Sequence, residues 1–454
     1  MRFLASLFVF FIFTSASLAA QPDAQSATSP GGHAFAFMHI SGTDKIVIDI
    51  EWPSDWGRKG KRNVAVPYVG TKLMLNGGTG DLTPAQLNQK LNDMHASGQI
   101  FVTADGVQGQ LVVRKDKLDQ AIVIVHDILA APRFDPHWLK RDKDTLKENL
   151  EEGLRQSVNK CRDVARKAVL GDSPLYAFLS LDDPSVFDRV TAQDLRRWHN
   201  ETFVASGVTI AVAGAISQAQ AGKVIDKLFA SLPAGPAVPP PRTTPDFAAR
   251  TIVLHDPGAK KTMIGFVGPL PPTSQKHGFD DLVITRVLAD DSHSRLFDAV
   301  RRKLHVTYGI DATTLNYGRH VRLFAIGGEV DPKHLAAARR TVLATYDGLR
   351  KKGVTAAEVR GLKTALTGNL KTSMTRPENM AASLLENALD GFPAERVSHL
   401  LDELDAVSVK AVDARLRDVY PAAKDLIQFV VSTNANAVPG ACVIEAPDEV
   451  DKCR

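Results

Sequence analysis

Apolar and polar positions along the chain follow a pattern that occurs twice. Ile46-Val47-Ile48-Asp49-Ile50 and Gly109-Gln110-Leu111-Val112-Val113 read as strands, and the run from Leu118 to Val125 begins a helix with one apolar face. Phe134-Asp135-Pro136 opens a further helix, predicted to end at Asn149-Leu150. Its counterpart opens at Val354-Thr355-Ala356-Ala357-Glu358 and runs to Asn369-Leu370, so Leu150 and Leu370 stand 220 residues apart. A second pair of anchors agrees. Val190-Thr191-Ala192-Gln193-Asp194-Leu195 matches Val407-Ser408-Val409-Lys410-Ala411-Val412 at an offset of 217, each with Thr or Ser placed to cap an amphipathic run. Each is followed by a β-rich segment, Val208 to Ala213 in one half and Leu426 to Val431 in the other. Two matching offsets predict a duplicated unit.

The halves meet at Ser231-Leu232-Pro233-Ala234-Gly235-Pro236-Ala237-Val238-Pro239-Pro240-Pro241-Arg242, whose prolines favour an extended spacer over a core element. Strands and helices are mixed within each half rather than strictly alternating. The predicted fold class is therefore α+β, two homologous domains, each an antiparallel sheet with helices packed on one face. The expected division is a leader over 1–20, a disordered Ser/Gly/Pro/Ala-rich stretch over 21–35, domains over 36–230 and 248–440 joined by a linker over 231–247, and a tail over 441–454.

Composition narrows the class. Over 454 residues, 44% hydrophobic and 23% charged content is that of a globular protein, and a net charge of +4 is too small and too spread to form a nucleic-acid footprint. Arg2, the apolar run Phe3 to Phe13 and the small residues up to Ala20 have the form of a secretory signal peptide, too short to span a bilayer. This predicts a periplasmic, soluble mature chain with no membrane span. In an oxidising compartment Cys442 and Cys453 could close a small loop, leaving Cys161 as a packed thiol. No CxxC spacing supports a zinc knuckle. Asn200-Glu201-Thr202 fits a sequon that arises often by chance, and no metal site is expected at His33 and His39.

The order of segments resembles the insulinase or pitrilysin family of zinc peptidases, the inverzincins, over nearly all of the chain after the leader. The matching stretches are Asn76-Gly77-Gly78-Thr79-Gly80, the helix from Leu118 with its Pro132-Arg133-Phe134-Asp135 exit, Gly171-Asp172-Ser173-Pro174-Leu175-Tyr176, and Ser294-Arg295-Leu296-Phe297-Asp298-Ala299-Val300-Arg301-Arg302-Lys303-Leu304-His305-Val306-Thr307-Tyr308-Gly309. The resemblance implies one half of a two-domain clamshell. Active members carry H-x-x-E-H before the Gly-Thr that here is Gly78-Thr79, two histidines holding zinc and a glutamate serving as general base. Those positions fall on Val69, Lys72 and Leu73. Val and Leu offer no lone pair to a metal, and a cationic Lys cannot accept a proton from water. The family's distal glutamate ligand would fall near Glu148, Glu151 or Glu152, which without partners read as a solvated helix face. Asn76 to Gly80 lacks the Gly-Lys-Ser/Thr ending of a phosphate loop and reads as a tight turn.

Arg301 and Tyr308 match an Arg and a Tyr that the family places seven residues apart in its C-terminal half, where they reach the scissile peptide. Guanidinium and phenol are both donors suited to a substrate carbonyl or oxyanion. Arg302, Lys303 and Arg295 are weaker candidates, and Arg295 is expected to anchor the helix start. The implied function is a non-catalytic, substrate-binding subunit of a heterodimeric periplasmic zinc metallopeptidase. It would hold no cofactor itself; zinc would sit in an H-x-x-E-H-bearing paralogous partner, and Arg301 and Tyr308 would act in trans on unfolded peptides. Peptides would bind by adding a strand to a sheet edge. The alternative is an inactive scaffold or peptide-binding protein. An independent hydrolase has little support, with neither a Gly-x-Ser-x-Gly elbow nor a clustered nucleophile and base.

Overall fold

The computed structural model describes residues 23–58, 62–236, 238, 242–274, 278–290, 294–302 and 307–454, and of Thr307 and Tyr308 the backbone only. The expected leader over 1–20 lies outside the described residues, as do residues 237 and 239–241 of the linker.

Six strands build each of two sheets. The first contains β1 (Ala24–Thr28), β2 (Ala34–His39), β3 (Lys45–Pro53), β4 (Ser97–Val102), β5 (Gly106–Arg114) and β6 (Thr209–Gly214), in the order β1-β2-β6-β3-β5-β4. The second contains β7 (Thr251–His255), β8 (Thr262–Leu270), β9 (Thr307–Asn316), β10 (Arg322–Val330), β11 (Ile427–Ser432) and β12 (Cys442–Ile444), in the order β12-β7-β11-β8-β10-β9. Strands β2-β6-β3-β5-β4 and β7-β11-β8-β10-β9 repeat one order and one set of directions. In each, the first pair is parallel and the rest antiparallel. The duplication expected from the offsets is thus present strand for strand. The sheets are mixed rather than wholly antiparallel, because β6 returns in parallel beside β2 and β11 in parallel beside β7.

Among the described residues fourteen helices accompany them. In the first half these are α1 (Val66–Asn76), α2 (Pro84–Asp93), α3 (Leu118–Ala130), α4 (Pro136–Leu154), α5 (Ser157–Leu170), α6 (Pro174–Ser180), α7 (Ala192–Thr202) and α8 (Gln218–Phe229). In the second they are α9 (Asp280–Leu288), α10 (Leu335–Lys352), α11 (Ala356–Ser373), α12 (Pro377–Leu389), α13 (Leu400–Asp405) and α14 (Val409–Asp418). The expected caps are in place: Thr191 and Thr355 close capping boxes with Asp194 and Glu358, and Ser408 accepts from the Ala411 N–H.

One face of the first sheet packs Ile46, Ile48, Ile50 and Trp52 against α1, α3, α7 and α8. One face of the second packs Ile264, Phe266, Phe324 and Ile326 against α9, α10 and α14. The opposite faces are covered too, and by the other half. Helix α12 of the second half lays Met380, Ala381, Leu384 and Leu385 on Met38, Val47, Ala211 and Ala213 of the first sheet. Helix α5 of the first half lays Val164, Ala168 and Val169 on Ile252, Leu254, Phe429 and Val431 of the second. This reciprocal exchange of helices ties the halves together through two apolar layers.

The stretch 21–35 corrects an expectation of disorder. Residues Ala24 to Thr28 form β1 on β2, Ala24 is fully buried, and its N–H donates to Ser398 Oγ at 2.7 Å while the Ser26 N–H donates to Glu395 Oε1 at 2.8 Å. A small-residue composition does not prevent an edge strand, which is held by main-chain hydrogen bonds. Residues 441–454, expected as a tail, join the second sheet: β12 pairs in parallel with β7, and Cys442 is disulfide-bonded to Cys453. Cys161 is the free thiol, and burial pushes it up to about 12, so it is un-ionised at neutral pH.

Candidate functional site

Helix α1 carries the three positions at which the zinc motif would lie. Pro67 at its first turn suits a helix start, and its inner face, with Val66, Val69, Gly70, Leu73 and Met74, is buried. Val69 and Leu73 are 0% exposed. Gly70 lets the Trp198 ring approach so closely that a Cβ there would lie 2.1 Å from it. Lys72 points instead to α4, where its Nζ lies 3.9 Å from Asp142 Oδ1. Arg141 Nη2 reaches the same carboxylate at 3.3 Å, with its guanidinium 3.4 Å over the Trp138 ring. Asp142 is 1% exposed, and its Oδ2 has no hydrogen-bond partner. Glu148 and Glu152 are exposed and Glu151 half-buried, and Glu152 pairs with Arg155 at 3.2 Å. These residues do not fit a zinc ion: where two imidazoles would be there is packed hydrocarbon, and where the base would be there is a paired ammonium. Among the described residues no three His, Cys, Asp or Glu side chains converge as metal ligands.

The Asn76 to Gly80 segment is a turn, as its glycines suggest. Gly78 has φ +81°, and a Cβ on it would meet the Leu82 carbonyl oxygen at 2.5 Å. Thr79 Oγ1 donates to the Asp127 and Ala131 carbonyls, tying the end of α1 to that of α3.

In the second half, Phe297–Arg302 forms a short π-helical segment anchored by buried Leu296 and Val300. Arg301 extends from it into solvent, its guanidinium carbon 5.1 Å from the Phe297 ring centroid. Arg302 pairs with Asp298 at 2.8 Å. Lys303 lies outside the described residues, and the Tyr308 backbone belongs to edge strand β9. Arg295, expected to anchor its own helix start through local hydrogen bonds, reaches across to α11 instead: Nε and Nη2 each donate to the Glu358 carboxylate at 2.8 Å, and Nη2 also to the Gly353 carbonyl at 2.9 Å. That fork holds the capping box of α11.

Sequence reasoning missed a polar cluster where the halves meet. Asp49 and Glu51 alternate with Ile48, Ile50 and Trp52 on β3, so they share the face that receives α12. Asp49 is 0% exposed. Burial pushes its carboxyl up to about 7, with Gln110 on β5 pulling the other way. Glu51 also rises to about 7 through burial, opposed by Arg319 and reinforced by Glu386 and Asp105. Arg319 bridges the two halves: its backbone N–H donates to Asp105 Oδ2 at 2.8 Å and its Nη1 to Glu386 and Asp390 at 2.9 and 3.1 Å. The signal was in the sequence, two acids alternating with apolar residues inside a strand.

Comparison with known proteins bears directly on this frame. Residues 189–366 match the family model described as Peptidase M16 inactive domain. That stretch is thus similar to the M16 inactive domain. The uncharacterized zinc protease YmxG of Bacillus subtilis is 23% identical over 327 residues, covering 71% of this chain and 78% of YmxG. A crystal structure of a peptidase M16 inactive domain from Pseudomonas fluorescens superposes with a TM-score of 0.82 at 17% identity, covering 91% of this chain and 98% of that one. The first half of the periplasmic protease PqqL of Escherichia coli gives a TM-score of 0.71 at 14% identity, covering 95% and 96%. Against the whole PqqL chain, at 15% identity and a TM-score of 0.69, this chain covers 50% of the length. The fold is therefore that of one M16 half.

Proposed function

We propose that the chain is the non-catalytic, substrate-binding subunit of a two-chain zinc peptidase that degrades peptides in the periplasm. The observation that carries this reading is the state of α1, where Val69 and Leu73 are core residues and Lys72 is committed to Asp142. A helix so repacked has no use for a metal, while exposed Arg301 remains available to a substrate. PqqL, of whose chain this one matches half, supports a pairing of two such units. In the proposed complex a similar chain bearing H-x-x-E-H supplies zinc and general base, and this chain supplies Arg301 and Tyr308 as donors to the substrate carbonyl. Loss of such a donor costs on the order of 10²–10³ in rate.

The test is affinity purification of the chain from its own cells, with identification of stoichiometric partners, zinc analysis and peptidase assay. The expected result is an H-x-x-E-H partner carrying one zinc per pair, and activity that falls on Tyr308→Phe or Arg301→Ala while the pair stays assembled. A zinc-free homodimer, or a complex whose activity both substitutions leave intact, would overturn the reading.

A further inference from the structure

The layer in which α12 covers the first sheet encloses acids as well as hydrocarbon. Asp49 and Glu51 stand on β3 beside Val47, on the face that takes Met380, Ala381, Leu384 and Leu385, and both are buried. At the rim of this layer three more carboxylates gather. Asp105 comes from the turn between β4 and β5, and Glu386 and Asp390 from the end of α12. All three hold Arg319 of the β9–β10 turn, and its bond to Asp105 crosses from one half to the other. Arg58 of the first half lies 3.6 Å from Asp105, and Thr273 Oγ1 donates to Asp390 Oδ1 at 2.6 Å. Five carboxylates thus share two guanidinium groups.

The elements packed on β3 do not redress the balance. In register with Asp49 are Gln110 on β5 and Ala211 on β6, and with Glu51 are Gln108 and Thr209, all uncharged. Helix α12 adds Glu378, which is paired with Lys45 at 2.7 Å, and the β9–β10 turn adds the exposed His320 beside Arg319. With every carboxyl ionised, the closed layer holds a surplus of negative charge out of reach of water, and a proton on a buried carboxyl removes that cost. Burial raises Asp49 and Glu51 to about 7, Arg319 lowering Glu51 while Glu386 and Asp105 raise it. Exposed in an opened layer, the same groups would return to 3.8 and 4.5. Closure therefore takes up protons. It is most favoured at low pH, declines as the open form ionises, and levels off above about pH 7 once the closed form has ionised too.

From this arrangement we infer that the seam between α12 and β3 is a proton-operated latch: protons on Asp49 and Glu51 keep α12 and the β9–β10 turn down on the first sheet, and their loss frees that layer while the α5 layer still joins the halves. The two layers differ in the way this requires. In the α5 layer the buried acid Asp163 is hydrogen-bonded by Tyr176 and Ser180 and faces Arg166. That layer is also tied by the Lys160 pair with Asp256 at 2.5 Å and by Arg250 Nη2 donating to the Ala168 carbonyl at 2.6 Å. A layer with fewer compensated charges opens as a unit ahead of its neighbour. Arg319 sets the point at which the latch lets go, since it is the cation opposing the rise of Glu51. The inference does not depend on the peptidase-subunit reading, since it needs no partner chain.

Hydrogen exchange of the whole chain, read by mass spectrometry peptide by peptide and corrected at each pH for the intrinsic exchange rate, tests it. The expected result is that protection of Pro377–Leu389 and of β3 falls about tenfold or more between about pH 5 and 8, relative to α5 and α10. In the double variant Asp49→Asn with Glu51→Gln, whose neutral amides copy the protonated groups, that protection should change by less than about threefold over the same range. Arg319→Gln should deepen the fall, because Glu51 then loses its opposing cation; this variant and the natural chain decide the matter even if the double variant does not fold. Unchanged protection of α12 in the natural chain, a fall that α5 and α10 share equally, the same fall in the double variant, or a shallower one in Arg319→Gln would overturn the proposal.

Discussion

Replacing Asp49 by Asn should reverse part of the pH dependence of stability. In the folded chain burial places the Asp49 carboxyl near 7, against 3.8 when exposed. Below the lower value both states are protonated and the folded state bears no penalty. As pH rises from there, the unfolded chain ionises first and is favoured, and stability falls until about pH 7, where the folded group ionises too. At about 1.36 kcal/mol per pKa unit, the full penalty is about 4 kcal/mol above pH 7, and roughly 1.5 kcal/mol of it is already present at about pH 5. Asn does not titrate, so the stability difference between Asp49→Asn and the natural chain should move by about 3 kcal/mol in favour of the variant between about pH 5 and 8.5. The neighbouring groups, Glu51 on β3 itself, Gln110 on β5, Glu386 on α12, and Arg319 and Asp105 on the two adjoining turns, are present in both proteins and largely cancel in the comparison. Urea unfolding followed by tryptophan fluorescence is well placed to measure it, because Trp52, Trp56, Trp138 and Trp198 all lie in the first half. Parallel pH profiles for the two proteins would refute the argument, whatever their absolute stabilities.

Two further outcomes are expected. Leu73→Ala leaves a void in the core and should cost about 2–5 kcal/mol in chemical denaturation, while peptide cleavage by the proposed complex should stay within twofold at a temperature where the variant is folded. Asp281 is buried at 2% exposure between Arg322 at 2.7 Å and Arg415 at 3.0 Å and also accepts from Tyr420 Oη at 3.1 Å. Burial alone would raise its carboxyl, but the two arginines outweigh that and hold it below the ordinary carboxylate range. Asp281→Ala strands both guanidinium groups and should cost about 3–5 kcal/mol, seen as a lower denaturation midpoint.

Much of this architecture was legible from local pattern. The helix opening at Phe134-Asp135-Pro136 is α4, capped by Asp135, and the segments at Val190 and Val407 are α7 and α14 with Thr191 and Ser408 at their caps. These follow from short-range chemistry, an oxygen side chain accepting from an N–H two or three residues on. That Val69, Lys72 and Leu73 cannot hold a zinc ion was equally plain, since residue identity alone decides whether a lone pair is present. Where they pack was not: that Lys72 turns to Asp142 depends on α4 packing against α1, some seventy residues away in the chain.

The 21–35 stretch shows the converse error. Its composition suggests disorder, yet β1 forms because Ser398 and Glu395, far along the chain, accept its N–H groups. Asp49 and Glu51 could be read as acids in an apolar strand, but burial, and with it their raised carboxyls, follows from α12 of the opposite half covering that face. By itself, then, the sequence determined the duplicated strand and helix pattern, the caps and the missing metal ligands, because these rest on residue type and spacing. Only the tertiary structure decided that α5 and α12 change places between the halves and which acids end up enclosed. An amphipathic helix declares that it has an apolar face, and it is the folded chain that settles which sheet that face will cover.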